Sequence, residues 1–255
     1  MPEPDNAPIL PHTTQAAAEC IAAMAHDLRA PLAAVHMAAE LLCEDLDELD
    51  AAQAQQLALT IQRGTRWLQH LAENLYTFTT MQEHGLILDR RPLDLRAVVE
   101  DCARTIGPVL SAKQQQCVIQ QPAPLPLVLA DRSQIARVCA NLLTNANKFA
   151  APGTVIEGRL TGTEDWVRLA VADRGPGLPS GDVSQLFDPF YQPPNTASNG
   201  GVGLGLAIVR DLVHAHGGRV GAENRKGGGA RIWFELPALG NNSPSPDGAR
   251  QEPAR

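Results

Sequence analysis

Between His12 and His84 the chain holds a single proline, Pro31, and a single glycine, Gly64, and across this span its apolar residues recur every three and four positions. One series runs Ala25, Leu28, Leu32, Val35, Ala39, Leu42, Leu46, Leu49, and a second runs Ala54, Leu57, Ile61, Gly64, Leu68, Leu71, Leu75, Phe78. That is the heptad spacing, which keeps one narrow stripe of a helix facing a partner helix. The acidic stretch CEDLDELDAAQ separates the two series, so the pattern predicts a helical hairpin. A single hairpin can bury little of its stripe, whereas two hairpins complete a four-helix bundle, and this predicts a homodimer. The alternative is a monomeric hairpin packed on the remainder of the chain.

The composition changes near residue 85. Glycine becomes frequent, and short β-like runs alternate with helical patterns. DLRAVVEDCARTIGPVL and DRSQIARVCANLLTNANKFA read as amphipathic helices, the second with Asp131 as N-cap after the apolar run Leu127–Ala130. TVIEGRLTG and WVRLAVAD read as adjacent strands, and VGLGLAIVRDLVHAHGG as a helix closed by Gly217 and Gly218. RVGAENR and ARIWFELP read as a hairpin across Lys226–Gly229. The expected fold class is α+β, a helical hairpin followed by an α/β sandwich. The expected divisions are a disordered tail at 1–13, the hairpin at 14–84, the sandwich at 85–238, and a disordered Pro-, Asn- and Ser-rich tail at 239–255.

Charge narrows the function. A formal charge of −7 argues against nucleic-acid binding, which calls for a basic face. No run of about 18 apolar residues is present to span a bilayer, and MPEPDNAPILP lacks the basic start and apolar core of a secretion signal. The five cysteines form no CxxC pair and read as reduced, mostly buried thiols of a cytoplasmic protein.

Four segments carry chemistry. In AHDLRAPL, His26 sits one position past the seam with Asp27 beside it, and Pro31 removes a helical N–H just beyond. A mostly neutral imidazole can attack an electrophile through one nitrogen while an acceptor holds the proton on the other. In NLLTNANK, Asn141, Asn145 and Lys148 fall at i, i+4 and i+7, placing two amides and an ammonium on one helix face. Amide oxygens suit Mg²⁺, and the ammonium suits phosphate. In VADRGPGLP a strand delivers Asp173 to a tight turn built with Gly175 and Gly177, where a carboxylate can accept from an amino group such as that of adenine. In SNGGVGLGLAIV, glycines lead into a helix N-terminus able to receive phosphate oxygens, without a Walker GK[ST] or a GxGxxG match. Residues 192–202 read as a lid over a nucleotide.

Together these segments resemble the catalytic core of two-component sensor histidine kinases, a dimerisation and phosphoacceptor domain followed by a Bergerat-type ATPase domain. The resemblance covers about residues 14–238. HDLRAPL resembles the histidine box, NLLTNANK the asparagine box, DRGPGLP and GGVGLGLAIV the two glycine boxes, and LFDPFYQ the phenylalanine box. It implies a protein-histidine kinase with His26 as phosphoacceptor and Asp27 as its acid–base neighbour. It implies Mg²⁺ on Asn145, assisted by Asn141, and Lys148 on phosphate or ribose. It implies adenine on Asp173 in a pocket shaped by Gly175 and Gly177. The remaining ATP contacts would come from Phe187, Phe190, Gly201, Gly203, Leu204 and Gly205. The implied partners are a second copy, a response-regulator receiver domain that takes the phosphoryl group on aspartate, and a sensor on another protein or N-terminal to this core.

Two positions depart from the family pattern. Asp27 stands where Glu is commoner, and Ala30 stands where many relatives carry Thr or Asn to position a water for dephosphorylating the regulator. Weak phosphatase activity is therefore expected. Two other readings remain. One is a degenerate kinase acting as a nucleotide-binding dimeric scaffold. The other is a topoisomerase- or mismatch-repair-type ATPase, disfavoured because such relatives carry a glutamate base where Asn141 stands.

Overall fold

The computed structural model describes residues 12–44, 49–84, 86–179, 183–193 and 203–240. The expected tails at 1–13 and 239–255 lie almost wholly outside these residues. Two compact units result. One is helical, runs to Thr80 and takes in the described residues of Pro189–Leu204; the other comprises Met81–Asp188 and the chain from Gly205.

In the helical unit, α1 is His12–Glu44 and α2 is Ala51–His84. Asp50 starts α2 with a reciprocal pair: its carboxylate accepts from Gln53 N–H at 2.7 Å, and its own N–H donates to Gln53 Oε1 at 3.0 Å. This capping-box geometry satisfies two of the orphan groups of a helix start. The two helices approach closely where Gly64 faces α1: a Cβ there would lie 2.2 Å from Val35 Cγ2 and 3.5 Å from the carbonyl of Pro31. Of the two seams, only Leu71 is fully buried among the described residues, with Ala38 beside the first seam buried as well. In the first seam Leu32 remains 55 % exposed and Leu28, Val35, Ala39 and Leu42 are half-buried, while Met37 and Leu41, 61 % and 42 % exposed, lie on the other side of α1.

In the second unit, α3 is Leu95–Ser111, α4 is Arg132–Phe149 and α5 is Gly205–Ala215. Strands β1 (Arg91–Leu93) and β3 (Val128–Ala130) pair antiparallel. The main sheet runs β2 (Gln116–Gln120), β4 (Val155–Gly162), β5 (Trp166–Ala172), β7 (Ala230–Pro237) and β6 (Arg219–Asn224), in that spatial order. Its pairs are antiparallel except β2 with β4, which are parallel and therefore need a crossover; α4 supplies it.

Alternate residues of the strands point to the core. Ile156, Leu160, Val167, Leu169, Phe234 and Leu236 are buried, as are Val98 and Val99 of α3, Ile135 and Leu142 of α4, and Ile208 and Leu212 of α5. Each full burial of such a side chain stabilises by roughly 1.5–3 kcal/mol, so the helices are held on the sheet by this layer. Both expected strand pairs form, and Asp131 caps α4, accepting from Ser133 and Gln134 N–H. Strands β1 and β2 carry no clear period-two signal; β2 is an edge strand of sequence QCVIQ whose outer residues are polar.

The cysteine expectation needs correction. All four described cysteines are free, but only Cys139 is buried; Cys102 and Cys117 are half-buried and Cys43 is exposed. Cys43 falls outside the apolar seam near the end of α1, where no second layer covers it. Among the described residues, no helix is long and apolar enough to cross a membrane.

Candidate functional site

The residues singled out from sequence fall in both units. His26 and Asp27 lie in α1, five and four residues before Pro31, with their side chains outside the described set. Because Pro31 has no N–H, the carbonyl four residues back, that of Asp27, loses its helical partner. Ala30 is exposed on the same helix. Gly201 lies outside the described residues.

The other residues on the helical unit close a loop. Phe190 donates its backbone N–H to Gly203 O at 3.1 Å. Phe190 has φ 64°, a region bulky residues rarely enter, and Gly203 has φ 71°. A Cβ on Gly203 would lie 2.7 Å from both Phe190 C and Tyr191 O, so the close approach of the two strands of this loop requires glycine there. Leu204, next in sequence, is 2 % exposed.

On the second unit the site is assembled around α4. Its buried face, Ile135, Val138, Leu142 and Ala146, packs into the core, and this leaves Asn141 and Asn145 on the flank of that face, half-buried. Neither amide makes a hydrogen bond among the described residues. Lys148 lies one turn further, its Nζ 4.8 Å from the centre of the Phe149 ring. Gly205, the first residue of α5, sits beside Asn141: a Cβ there would be 3.5 Å from Asn141 Oδ1. The free N–H groups that open α5 thus lie next to the amide face of α4.

Asp173 follows the last residue of β5 and is 6 % exposed. Its Oδ1 accepts from Gly175 N–H at 2.7 Å and Ala230 N–H at 3.3 Å, while Oδ2 has no hydrogen bond among the described residues. Oδ2 is not sealed in the core, so it is open to accept from a donor on a ligand. Gly175 has no room for a side chain, since a Cβ would sit 2.5 Å from Phe149 O. Phe187, at the end of the 3-10 turn Val183–Phe187, is 4 % exposed and packs as core. These groups fit a magnesium nucleotide: amide oxygens for a hard cation, helix N–H groups for phosphate, and a carboxylate acceptor for an amino group.

Sequence reasoning missed the amides that hold α4 in place. Asn147, within the same NLLTNANK motif, faces inward; its Nδ2 donates to Gln115 Oε1 at 2.6 Å. Gln115 Nε2 in turn serves the carbonyls of Ala150 at 2.9 Å and Ala151 at 3.2 Å, ending the helix. At the other end of α4, Asp131 also accepts from Asp89 N–H, and its own N–H donates to His216 Nε2 at 3.0 Å. His216 Nδ1–H donates to Leu212 O at 2.7 Å, which fixes the neutral tautomer. Burial holds its pKa below the ordinary histidine value. For Asp131, burial pushes upward, but the hydrogen bonds from Ser133, Gln134 and Asp89 outweigh it and hold the carboxyl low. The one sequence signal for these contacts was the capping position of Asp131.

Residues 130–240 match the family described as histidine kinase-, DNA gyrase B-, and HSP90-like ATPase, and residues 16–84 match the His Kinase A (phospho-acceptor) domain. The sensor protein KdpD of Escherichia coli strain K12 is 36 % identical over 219 residues, covering 85 % of this chain and 24 % of KdpD. The chain spans about a quarter of the length of KdpD and of the sensor protein GacS of Pseudomonas syringae pv. syringae, 24 % of each. Full-length ShkA in complex with AMPPNP superposes with TM-score 0.62 at 30 % identity, over 86 % of this chain and 46 % of that one. Histidine kinase ThkA, solved with the response regulator TrrA, shares the fold with TM-score 0.67 at 22 % identity, over 87 % and 61 % of the two chains.

Proposed function

Since the chain belongs to the two-component sensor histidine kinases, as their phosphoacceptor and ATP-binding core, we propose that it phosphorylates His26 from ATP and passes the phosphoryl group to an aspartate of a response regulator. The carrying observation is the set of unpartnered polar groups on the second unit: Asp173 Oδ2, the Asn141 and Asn145 amides, and the start of α5. In this reading Asp173 accepts from the adenine amino group and Gly175 and Gly177 form the pocket wall. Lys148 and the α5 N–H groups hold phosphate oxygens. Asn145 would hold Mg²⁺ with Asn141 near its water shell, where the ion supplies neutralisation of phosphate charge.

One ring nitrogen of His26 attacks the γ-phosphorus; the N–P bond forms as the bond to the ADP oxygen breaks. The proton on the other ring nitrogen passes to Asp27, which also orients the ring. Such transfer depends mainly on in-line positioning and charge neutralisation. Exposed Leu32 and the half-buried Leu28, Val35, Ala39 and Leu42 of the first seam support a second copy as the partner of the hairpin. ThkA was solved with a response regulator, which supports a receiver domain as the phosphoryl acceptor. Ala30 offers no hydroxyl or amide to hold a hydrolytic water, so regulator dephosphorylation is weak.

Incubation with γ-labelled ATP and Mg²⁺ tests the reading. Acid-labile, alkali-stable label that His26→Gln abolishes is the expected result. Label that persists in His26→Gln refutes the choice of nucleophile, and nucleotide binding without any label supports the scaffold reading instead. Dephosphorylation of a phospho-regulator that is as fast with this chain as with Ala30→Thr would remove the role assigned to Ala30.

A further inference from the structure

Residues 174 to 178 form a turn with little support of its own. Among the described residues, no backbone–backbone hydrogen bond involves them; the one local bond is Gly175 N–H to Asp173 Oδ1. A turn containing two glycines is conformationally loose unless something outside it fixes its shape. Here that something is the hairpin of β6 and β7, which holds the turn at both ends.

At the first end, Asp173 N–H donates to Ala230 O at 3.0 Å, and Arg225 Nη1–H donates to Asp173 O at 3.0 Å. The Arg225 side chain is 13 % exposed, and its Nη2 donates to Glu157 Oε1 at 3.0 Å, so the half-buried guanidinium has both a neutral and a charged acceptor. At the far end, the Asn224 amide makes a two-point contact with one residue: Oδ1 accepts from Leu178 N–H at 2.6 Å, and Nδ2 donates to Leu178 O at 3.2 Å. The side chain thus pairs with the turn as a strand edge would. Gly177, with φ 86°, lies against that same amide; a Cβ would be 2.7 Å from Asn224 Oδ1.

We propose that Asn224 and Arg225 are positioning residues for nucleotide selection, which fix the turn from Asp173 to Leu178 so that the open carboxylate oxygen of Asp173 meets the C6 substituent of the purine. The inference rests on the reading of Asp173 as the adenine contact. Adenine presents an amino group at that position and guanine a carbonyl, so a rigidly aimed carboxylate discriminates between them. A turn freed at one end binds adenine less well and rejects guanine less sharply. Transfer of the γ-phosphoryl group at saturating ATP uses other groups and does not depend on this clasp.

The test uses the whole chain with the β,γ-imido analogues of ATP and GTP. Asn224→Ala is expected to weaken the ATP analogue about tenfold, the equivalent of one to two net hydrogen bonds, and to lower the ATP-over-GTP preference about threefold, with the saturated autophosphorylation rate unchanged. Arg225→Ala is expected to act in the same direction. Asn224→Asp keeps the acceptor for Leu178 N–H and recovers most of the preference. An Asn224→Ala protein with parental affinity and preference overturns the inference. So does one that loses both analogues equally while its unfolding midpoint drops, because the role is then merely structural. Asp173→Asn, measured in parallel, separates the two claims. If it abolishes analogue binding while Asn224→Ala binds normally, the clasp alone is wrong; if it leaves binding intact, the adenine reading fails and the clasp with it.

Discussion

Replacing Gln115 by methionine, a side chain of similar length, removes one buried amide and strands several groups at once. Gln115 is 3 % exposed. Its Oε1 is the acceptor for Asn147 Nδ2, and its Nε2 reaches the carbonyls of Ala150, Ala151 and, at 3.4 Å, Asn147. The Asn147 carbonyl keeps a second donor, Lys113 Nζ at 2.8 Å. Asn147 Nδ2 and the Ala150 carbonyl keep none among the described residues. Two buried polar groups left unpaired cost about 1–3 kcal/mol each, offset by about 1 kcal/mol from the more apolar side chain, for a net loss of about 3 kcal/mol. For a domain of about 150 residues this lowers the unfolding midpoint by roughly 6–12 °C.

The assay is thermal unfolding of the second unit, followed by near-ultraviolet circular dichroism of Trp166 and Trp233. Leucine at position 147 in the same background should recover part of the loss, because it removes one of the stranded donors. A Gln115→Met midpoint within about 2 °C of the parent would show that solvent or neighbouring groups satisfy these carbonyls, and that the amide is not what ends α4.

Three further outcomes are expected. Gly175→Ala pushes a methyl into Phe149 O and, at 2.9 Å, into Asp173 Oδ1; overpacking of about 1–3 kcal/mol should weaken ATP binding about tenfold or more in a fluorescence titration, and an unaltered affinity would contradict the placement of this turn. Native His216 is kept neutral by burial, so below about pH 6.5 the unfolded chain takes up a proton at this residue that the native one refuses. Its stabilising contribution is complete above that pH and falls as the pH drops toward the lowered native value; urea unfolding at pH 7.5 and 5.5 should show a loss that His216→Gln reduces, and an identical loss in the variant would be the refuting result. Maleimide should label exposed Cys43 first, while Cys139, whose thiol is pushed well up by its hydrogen bond with Cys102 and by burial, reacts only on unfolding, as peptide mass mapping can check.

Much of this was legible in the chain. Heptad seams and strand alternation are local periodicities, so the helices α1 to α5 and the pairs β4–β5 and β6–β7 could be read from residues near in sequence. The motifs around His26, Asn145, Asp173 and Gly203 were legible for the same reason, each being a short run whose chemistry is carried by its own spacing. Exposed Leu32 and the half-buried Leu28, Val35, Ala39 and Leu42 of α1 also agree with a seam that one hairpin leaves partly uncovered.

What the sequence could not assign is which polar residue inside a motif stays on the surface and which faces the core. Asn145 and Asn147 are two positions apart and chemically identical; one stays open on the surface of α4 and the other is buried against Gln115, 32 residues away. The support of the Asp173 turn by Asn224 and Arg225, 46 and 52 residues distant, is of the same kind. Local patterns fixed the elements because helical and strand periods repeat within a few residues. The partners of these amides and of the guanidinium were decided only in three dimensions, because such a group pairs with whatever donor or acceptor the packed fold brings to it, wherever that residue lies in the chain.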